Sequence, residues 1–413
     1  MIRKRILFIG EAVTLAHVAR PFFLAESLDS GLYEVHFASD LRYKALISQS
    51  ESINYWPLTS LSSQDFIKAA DRDEYAYSKS MLEEYLHDES RLIESIDPCF
   101  IVGDYRYTLS TSSELYKIPY AAIANIHHSP YRINEFPKFP TQKSVSALTK
   151  KIVRRLIPWG DDVLEKQSLR YLNALRKERS LSPIRDFCDL LTRGNFTLYA
   201  DAPGYFKTVE LPSNHIFLGP ILWSPNISQP EWWLKWDVKE PMIYVTLGSS
   251  GRVEHIAELV QALSRMGSSI VLATAGRIQV EKIPTNVFVA DYLPGLDCCR
   301  HASAVLCNGG SATAYQALSV GKPVVGAWSN IDQFLTMKMI EHEGAGIGFP
   351  IQSFKPKEVA DMLSKVIRGA TYRKSAASFE NRFKRYDARI RFQNFIKDPN
   401  SFMNQAVRPE LDE

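Results

Sequence analysis

The chain has 413 residues, 45% apolar and 23% charged, with 49 Lys and Arg against 46 Asp and Glu for a formal charge of +3. That length exceeds one ordinary hydrophobic core and predicts two or three domains. The composition is that of a soluble globular protein, and the near balance of charge gives no footprint for nucleic-acid binding. No stretch reaches the roughly 20 apolar residues of a membrane helix. The opening MIRKRILFIGEAVTL is basic and then apolar, but Glu11 interrupts it too early for a signal peptide. Cys99, Cys188, Cys298, Cys299 and Cys307 are odd in number and lack zinc-site spacing, which predicts free thiols in a reducing, cytoplasmic setting.

In chain order, RILFIG (5–10) reads as a buried strand, 16–29 as a helix, and YEVHFASD (33–40) and SINYWPL (52–58) as further strands. Helical patterns follow near 62–70 and 75–95. CFIVGD (99–104) is a strand, 108–116 a helix and IPYAAIAN (118–125) a strand. Such alternation predicts a parallel sheet with helices on both faces. Residues 126–195 break the rhythm, first with Pro-punctuated loop and then with a basic helical run, as an inserted lid or acceptor region does. Within it, segment 142–160 carries Lys150, Lys151, Arg154 and Arg155. It either rests on anionic lipid or forms a solvated helix face, and the solvated face is the simpler reading. FTLYAD (196–201) and IFLG (216–219) resume the strands.

The stretch 218–241 is rich in Pro and Trp without a period and predicts the domain linker. Alternation then restarts with MIYVTLGSSG, a helix, SIVLATAG, NVFVADYLP, SAVLCNGG, the helical SATAYQALSVG, KPVVGAW and the helical DQFLTMKMIEHEGAG. The tail 372–397 predicts one long basic helix. The fold class is therefore α/β, with two Rossmann-like, doubly wound parallel-sheet domains facing a cleft.

The chemistry concentrates in CNGGSATAYQALSVGKPVVG, which starts at Cys307. The strand ending at Cys307 turns through Asn308, Gly309 and Gly310 into a helix opening at Ser311. The first turn of that helix presents the amides of Ser311, Ala312 and Thr313, an anion site. Its dipole contributes about 0.3–1 kcal/mol when exposed, so direct N–H bonds to charged oxygen carry the rest. Gly248, Ser249, Ser250 and Gly251 repeat the device after the domain's first strand. Both turns fall at carboxyl ends of strands, where ligands bind in such sheets. Neither is a Walker loop or a GxGxxG fingerprint.

NGGSATAYQALSVGKPVVGAWSNIDQ resembles the H-G-G-x-G-T…E-A-L…G-x-P…D-Q signature of the UDP-glycosyltransferase superfamily. YVTLGSSG, LGPI and DYLP fall where that family has its Y-V-S-x-G-S, its G-P linker and its base site, across residues 218–346. The resemblance implies a GT-B fold with an acceptor-binding domain over 1–220, onto which a C-terminal helix, 380–400, packs back. A nucleotide-sugar-binding domain would span 221–379. By the same resemblance Tyr292 and Leu293 lie on a uracil or thymine ring. Ser249, Asn308, Gly310, Ser311, Ala312 and Thr313 hold the diphosphate, Gln316 the ribose, and Asp332 and Gln333 the sugar hydroxyls. Asn308 stands where the family has His, and Gln316 where it has Glu.

In the first domain His17, in AHVARP, resembles the family's G-H-x-x-P base with one extra residue before Pro21. Asp104 closes its strand where the family has a carboxylate partner, which would fix the imidazole tautomer. His127 and His128 are rival bases. The function implied is inverting hexosyl transfer from a UDP- or dTDP-sugar to a hydroxyl of a small-molecule or lipid acceptor, without metal or other cofactor. The alternatives are a nucleotide-sugar epimerase and a catalytically silent nucleotide-sugar-binding partner protein.

Overall fold

The computed structural model describes residues 2–47, 51–71, 76–136, 160–235, 241–248, 256–277, 283–353 and 355–406. Ser249 lies outside these residues, as does 142–159 of the basic segment with Lys150, Lys151, Arg154 and Arg155. Two fully parallel sheets organise the rest. The first holds β1 (Lys4–Gly10), β2 (Tyr33–Ser39), β3 (Ile53–Pro57), β4 (Phe100–Asp104), β5 (Tyr120–Ala124), β6 (Phe196–Tyr199) and β7 (His215–Phe217) in the order β3-β2-β1-β4-β5-β6-β7. The second holds β8 (Met242–Thr246), β9 (Ser269–Ala273), β10 (Val287–Ala290), β11 (Ala304–Cys307), β12 (Val324–Trp328) and β13 (Gly346–Pro350) in the order β10-β9-β8-β11-β12-β13.

The central strands are largely apolar because both faces are covered. In β1, Ile6 and Phe8 pack into one cluster while Leu7 and Ile9 pack into the opposite one. In β8, Met242 and Tyr244 face one core while Ile243 and Val245 face another. This is the two-residue period of a strand sandwiched between helical layers. Strand order reverses between β1 and β4 and again between β8 and β11. Each reversal opens a crevice beyond the carboxyl ends of the two central strands. The architecture is a GT-B fold.

Two expectations fail locally. The tail is not one helix. Ala370–Lys384 ends and Ala388–Lys397 begins anew, capped by Asp387 accepting from the amides of Arg389 (2.9 Å) and Ile390 (3.1 Å). The break lets one chain serve two cores. Ala376, Phe379 and Phe383 bury beside the second domain, and Ala388, Phe392, Phe395 and Ile396 bury beneath the first sheet. The strand β13 was also missed, because GIGFP carries two glycines and little β propensity. A Cβ on Gly346 would stand 2.3 Å from the Val324 carbonyl oxygen, so the close pairing with β12 excludes a side chain.

Phe392 is fully buried and meets Phe8 edge-on at 5.9 Å. Phe392→Ala is expected to cost about 3–5 kcal/mol, read as a lower urea midpoint at unchanged slope.

Candidate active site

In the first domain the site starts at the β1–β4 crevice. Gly10 closes β1 and pairs with Asp104, which closes β4. The chain then turns into the helix Leu15–Ala25, which carries His17, Arg20 and Pro21. Proline has no amide N–H, so the carbonyl four residues back, that of His17, loses its helical partner. A Cβ on Gly10 would stand 2.8 Å from that carbonyl oxygen, so glycine is required for the approach. The approach brings His17 Nδ1 to 2.9 Å from Asp104 Oδ1.

Arg20, one turn further on, grips the same carboxylate with Nε (2.6 Å) and Nη2 (2.7 Å) and donates Nη1 to Asn125 Oδ1 (2.6 Å). Burial pulls the Arg20 guanidinium down, but Asp104 outweighs it, and its pKa lies above the ordinary arginine value. Tyr105 stacks on His17, with ring centroids 4.2 Å apart and planes 15° apart. Its φ of +61° is costly for a bulky residue. It persists because both neighbours are anchored. Asp104 is held by Arg20, and the buried Arg106 is held by Glu11 (2.9 Å) and Glu89 (2.7 Å). The Glu11 that breaks the N-terminal apolar run is thus a buried ion-pair partner. Burial raises its pKa despite Arg106 beside it.

The row continues sideways. Asn125 follows β5, and its Nδ2 donates to both oxygens of Asp201, which follows β6 (3.2 and 3.1 Å). Asp201 is fully buried and also accepts from the Ile126 amide (2.7 Å) and from the Tyr315 hydroxyl of the second domain (2.5 Å). Ser311 Oγ donates to Asn125 Oδ1 at 3.3 Å. A continuous polar chain therefore runs from His17 through Asp104, Arg20, Asn125 and Asp201 to the helix Ser311–Leu318.

That helix opens as the turn requires. Gly309 adopts φ +78°, and Gly310 is extended. The first intrahelical bond runs from the Ala314 amide to the Gly310 carbonyl, and no side chain caps the end. The amides of Ser311, Ala312 and Thr313 precede that bond. Asn308 closes the turn on itself, accepting the Gly310 amide at 3.1 Å. Tyr292 is half-buried beyond β10, with its hydroxyl 3.4 Å from the Ala275 carbonyl. Leu293 is a core residue. Gln316 is buried and donates Nε2 to the linker carbonyl of Trp223. Gln333 Oε1 accepts from the Ser329 amide (2.7 Å) and hydroxyl (3.0 Å), closing the start of the helix Ile331–His342.

Asp332 is not free in the cleft. Its Oδ1 lies 2.7 Å from His127 Nε2 and 3.6 Å from His128 Nε2, both on the 3-10 turn Ile126–His128 of the first domain. Burial works to raise the Asp332 pKa, and the two imidazoles outweigh it, so the carboxyl lies below its usual range. Burial holds His128 well below the ordinary histidine value.

Residues 257–384 match the family described as Erythromycin biosynthesis protein CIII-like, C-terminal domain. A PGL/p-HBAD biosynthesis glycosyltransferase of Mycobacterium tuberculosis is 39% identical over 384 residues, 92% of this chain and 89% of that protein. A PGL/p-HBAD biosynthesis rhamnosyltransferase of Mycobacterium bovis is likewise 39% identical over 384 residues, 93% of this chain and 85% of that one. The solved structure of glycosyltransferase VinC in complex with dTDP shares the fold, with a TM-score of 0.67 at 16% identity over 97% of this chain and 100% of that one. Fold and relatives together define a glycosyltransferase of GT-B architecture. With both domains covered by the match, the chain belongs to the UDP-glycosyltransferase-like family of natural-product glycosyltransferases.

The sequence pointed to His17, Asp104 and the Ser311 helix, and missed Arg20, Tyr105, Asn125 and Asp201. Asp201 takes donors from both domains, as Asn125 Oδ1 does. Asp201→Asn would turn an amide N–H toward them, with an expected loss of about 1.5–3 kcal/mol in urea unfolding.

Proposed function

We propose that the protein is an inverting, metal-independent transferase that moves a hexosyl group from a dTDP- or UDP-sugar to a hydroxyl of a small-molecule or lipid acceptor. The rhamnosyltransferase relative supports a 6-deoxyhexose as the sugar, and the dTDP bound to VinC supports thymidine as the nucleoside. The observation that carries the reading is the His17–Asp104 pair at the β1–β4 crevice, tied through Arg20 and Asn125 to the helix end at Ser311.

The Arg20 Nε and Nη2 groups already donate to Asp104, and Nη2 also lies 3.1 Å from His17 Nδ1. An ionised carboxylate only accepts, so the 2.9 Å contact with Asp104 calls for an N–H on Nδ1, while Arg20 Nη2 spends its hydrogen on the same carboxylate. The lone pair is then on Nε2, the arrangement of a general base. Nε2 takes the acceptor's hydroxyl proton as the oxygen attacks the anomeric carbon. The bond from that carbon to the phosphate oxygen breaks on the opposite face, and its electron pair leaves with the nucleoside diphosphate. The Asp104 carboxylate stabilises the imidazolium that results. The amides of Ser311, Ala312 and Thr313 meet the charge growing on the leaving diphosphate.

The chain does contain a D-x-D triplet, Asp71-Arg72-Asp73. Its first residue, Asp71, ends the helix Ser63–Asp71 of the first domain, whereas the proposed diphosphate site belongs to the second. Metal independence therefore rests on the helix end. The silent nucleotide-sugar binder keeps one specific support, the engagement of Gln316 with the Trp223 carbonyl, which competes with a ribose.

A thermal-shift panel of dTDP, UDP, GDP and ADP, with and without Mg²⁺, tests the donor site. A nucleotide at about 100 times its Kd stabilises by ~2.7 kcal/mol. The expected result is a shift with dTDP or UDP that ignores metal, and a flat response to all four in folded protein overturns the reading. For the base, His17→Ala is expected to keep that shift and to lose about 10²–10⁴-fold in turnover of the sugar nucleotide. Retained turnover would reassign the base.

A further inference from the structure

We propose that His127, His128 and Asp332 form a divalent-cation site that bridges the two domains and takes a borderline metal of the Zn²⁺ or Co²⁺ class. The two histidines are neighbours on the turn Ile126–His128 that follows β5, and Asp332 lies in the first turn of the helix Ile331–His342. Both imidazoles aim Nε2 at the same carboxylate oxygen, at 2.7 and 3.6 Å, and the three ligand atoms lie within 4.8 Å of one another. A hydrogen bond accounts for the first of these distances. It does not account for the second, which is beyond hydrogen-bond reach and yet converges on the same atom. One cation among the three atoms would satisfy all of them.

The donor set suits that metal class. Two imidazole nitrogens and one carboxylate oxygen are ligands of zinc and its neighbours, with bonds of about 2.0–2.2 Å. Tetrahedral bonds of that length set ligand atoms about 3.3–3.6 Å apart; the His128–Asp332 separation of 3.6 Å already lies at that spacing, and the 2.7 Å His127–Asp332 contact would open by about 0.6 Å on metal binding. The His127 side chain is fully buried, that of His128 is 15% exposed and that of Asp332 is 38% exposed. Two ligands are therefore fixed by packing, the His127 and His128 rings meeting at 4.3 Å and 66°. The third faces solvent, leaving room for a water or a hydroxyl in the open position of a three-ligand site. The Arg20 guanidinium acts on Asp332 through charge and opposes a cation there.

The functional consequence rests on the transferase reading. Asp332 is the residue proposed to receive the sugar hydroxyls, so cation and donor compete for it. The metal is then an inhibitor that pins the two domains together, and its removal leaves catalysis intact.

The test is titration of metal-stripped, full-length protein with Co²⁺ in the absence of nucleotide, followed by visible absorption, with Zn²⁺ competition. Saturable binding of one equivalent is expected, weakened at least tenfold in both His128→Ala and Asp332→Asn, each checked for native circular dichroism. No saturable binding, or wild-type affinity retained in either folded variant, overturns the site. In the second arm Zn²⁺ should raise the KM for the sugar nucleotide in wild type and not in His128→Ala. An unchanged KM in wild type at saturating Zn²⁺ overturns the competition. Absence of any turnover in the metal-free wild type would instead count against the transferase reading, while the Co²⁺ spectrum still decides the site.

Discussion

The carboxylate of Asp201 is buried between two domains with no charged group of its own to pair with among its hydrogen-bond partners, and the arrangement of the cleft follows from how it is satisfied. Its partners are the Asn125 amide, the Ile126 backbone amide and the Tyr315 hydroxyl. A buried carboxylate with a missing donor costs several kcal/mol, so each donor is held to its place. Asn125, fixed on one side by Asp201, accepts Arg20 on the other. Arg20, fixed by Asn125, fixes Asp104, and Asp104 fixes His17. The geometry of the proposed base is thus inherited from an interdomain contact several residues away. Local helix packing alone would leave the imbalance of one cation and two anions unresolved.

The same contact joins the domains mechanically. Tyr315 lies on the helix whose open end is the proposed diphosphate site, so that helix is tethered at its middle by Asp201 and at its start by Asn125 through Ser311. Around the tether the apolar core is shared. Ala124, Ile126, Tyr199 and Phe206 of the first domain cluster with Leu318, Phe334 and Met337 of the second. The returning chain adds Phe379, stacked on Tyr205 at 4.4 Å. Opening this seam would expose apolar area and unpair Asp201 at once.

How much of this was legible in the sequence follows from which signals are local. The alternation of apolar runs and helical periods located most of the strands, because a doubly covered strand has no polar face to hide it. Asp104 was legible as a polar residue closing an apolar run, CFIVGD. The same signal stood twice more, in IPYAAIAN and FTLYAD, whose last residues are Asn125 and Asp201. Read together, three polar endings on strands that prove adjacent as β4, β5 and β6 would have marked the whole row. Arg20 carried the weaker hint of lying one helical turn beyond His17. The pairing of Asp332 with His127 and His128 could not be read at all, since it spans 205 residues and two domains. Tail and edge failed for the opposite reason. A basic amphipathic period continued through Asp387, and nothing local revealed that its two halves bury in different cores.

Asn308, one of the two positions where the chain departs from the pattern it resembles, gains a physical meaning from the same network. Asn308 spends its carbonyl on the Gly310 amide, a turn closed by a neutral side chain two residues back. It brings no positive charge to the proposed diphosphate, whose charge would then be met by the backbone amides of the first helical turn and by the dipole behind them. Those are fixed partial charges whose value depends on exclusion of water and on not having to reorganise. A helix used in this way has to be held rigidly, and Tyr315 and Ser311 hold it from the first domain. The loss of a cationic side chain at Asn308 and the anchoring of the helix through Asp201 are then two sides of one solution, in which preorganisation of the backbone replaces a mobile charge.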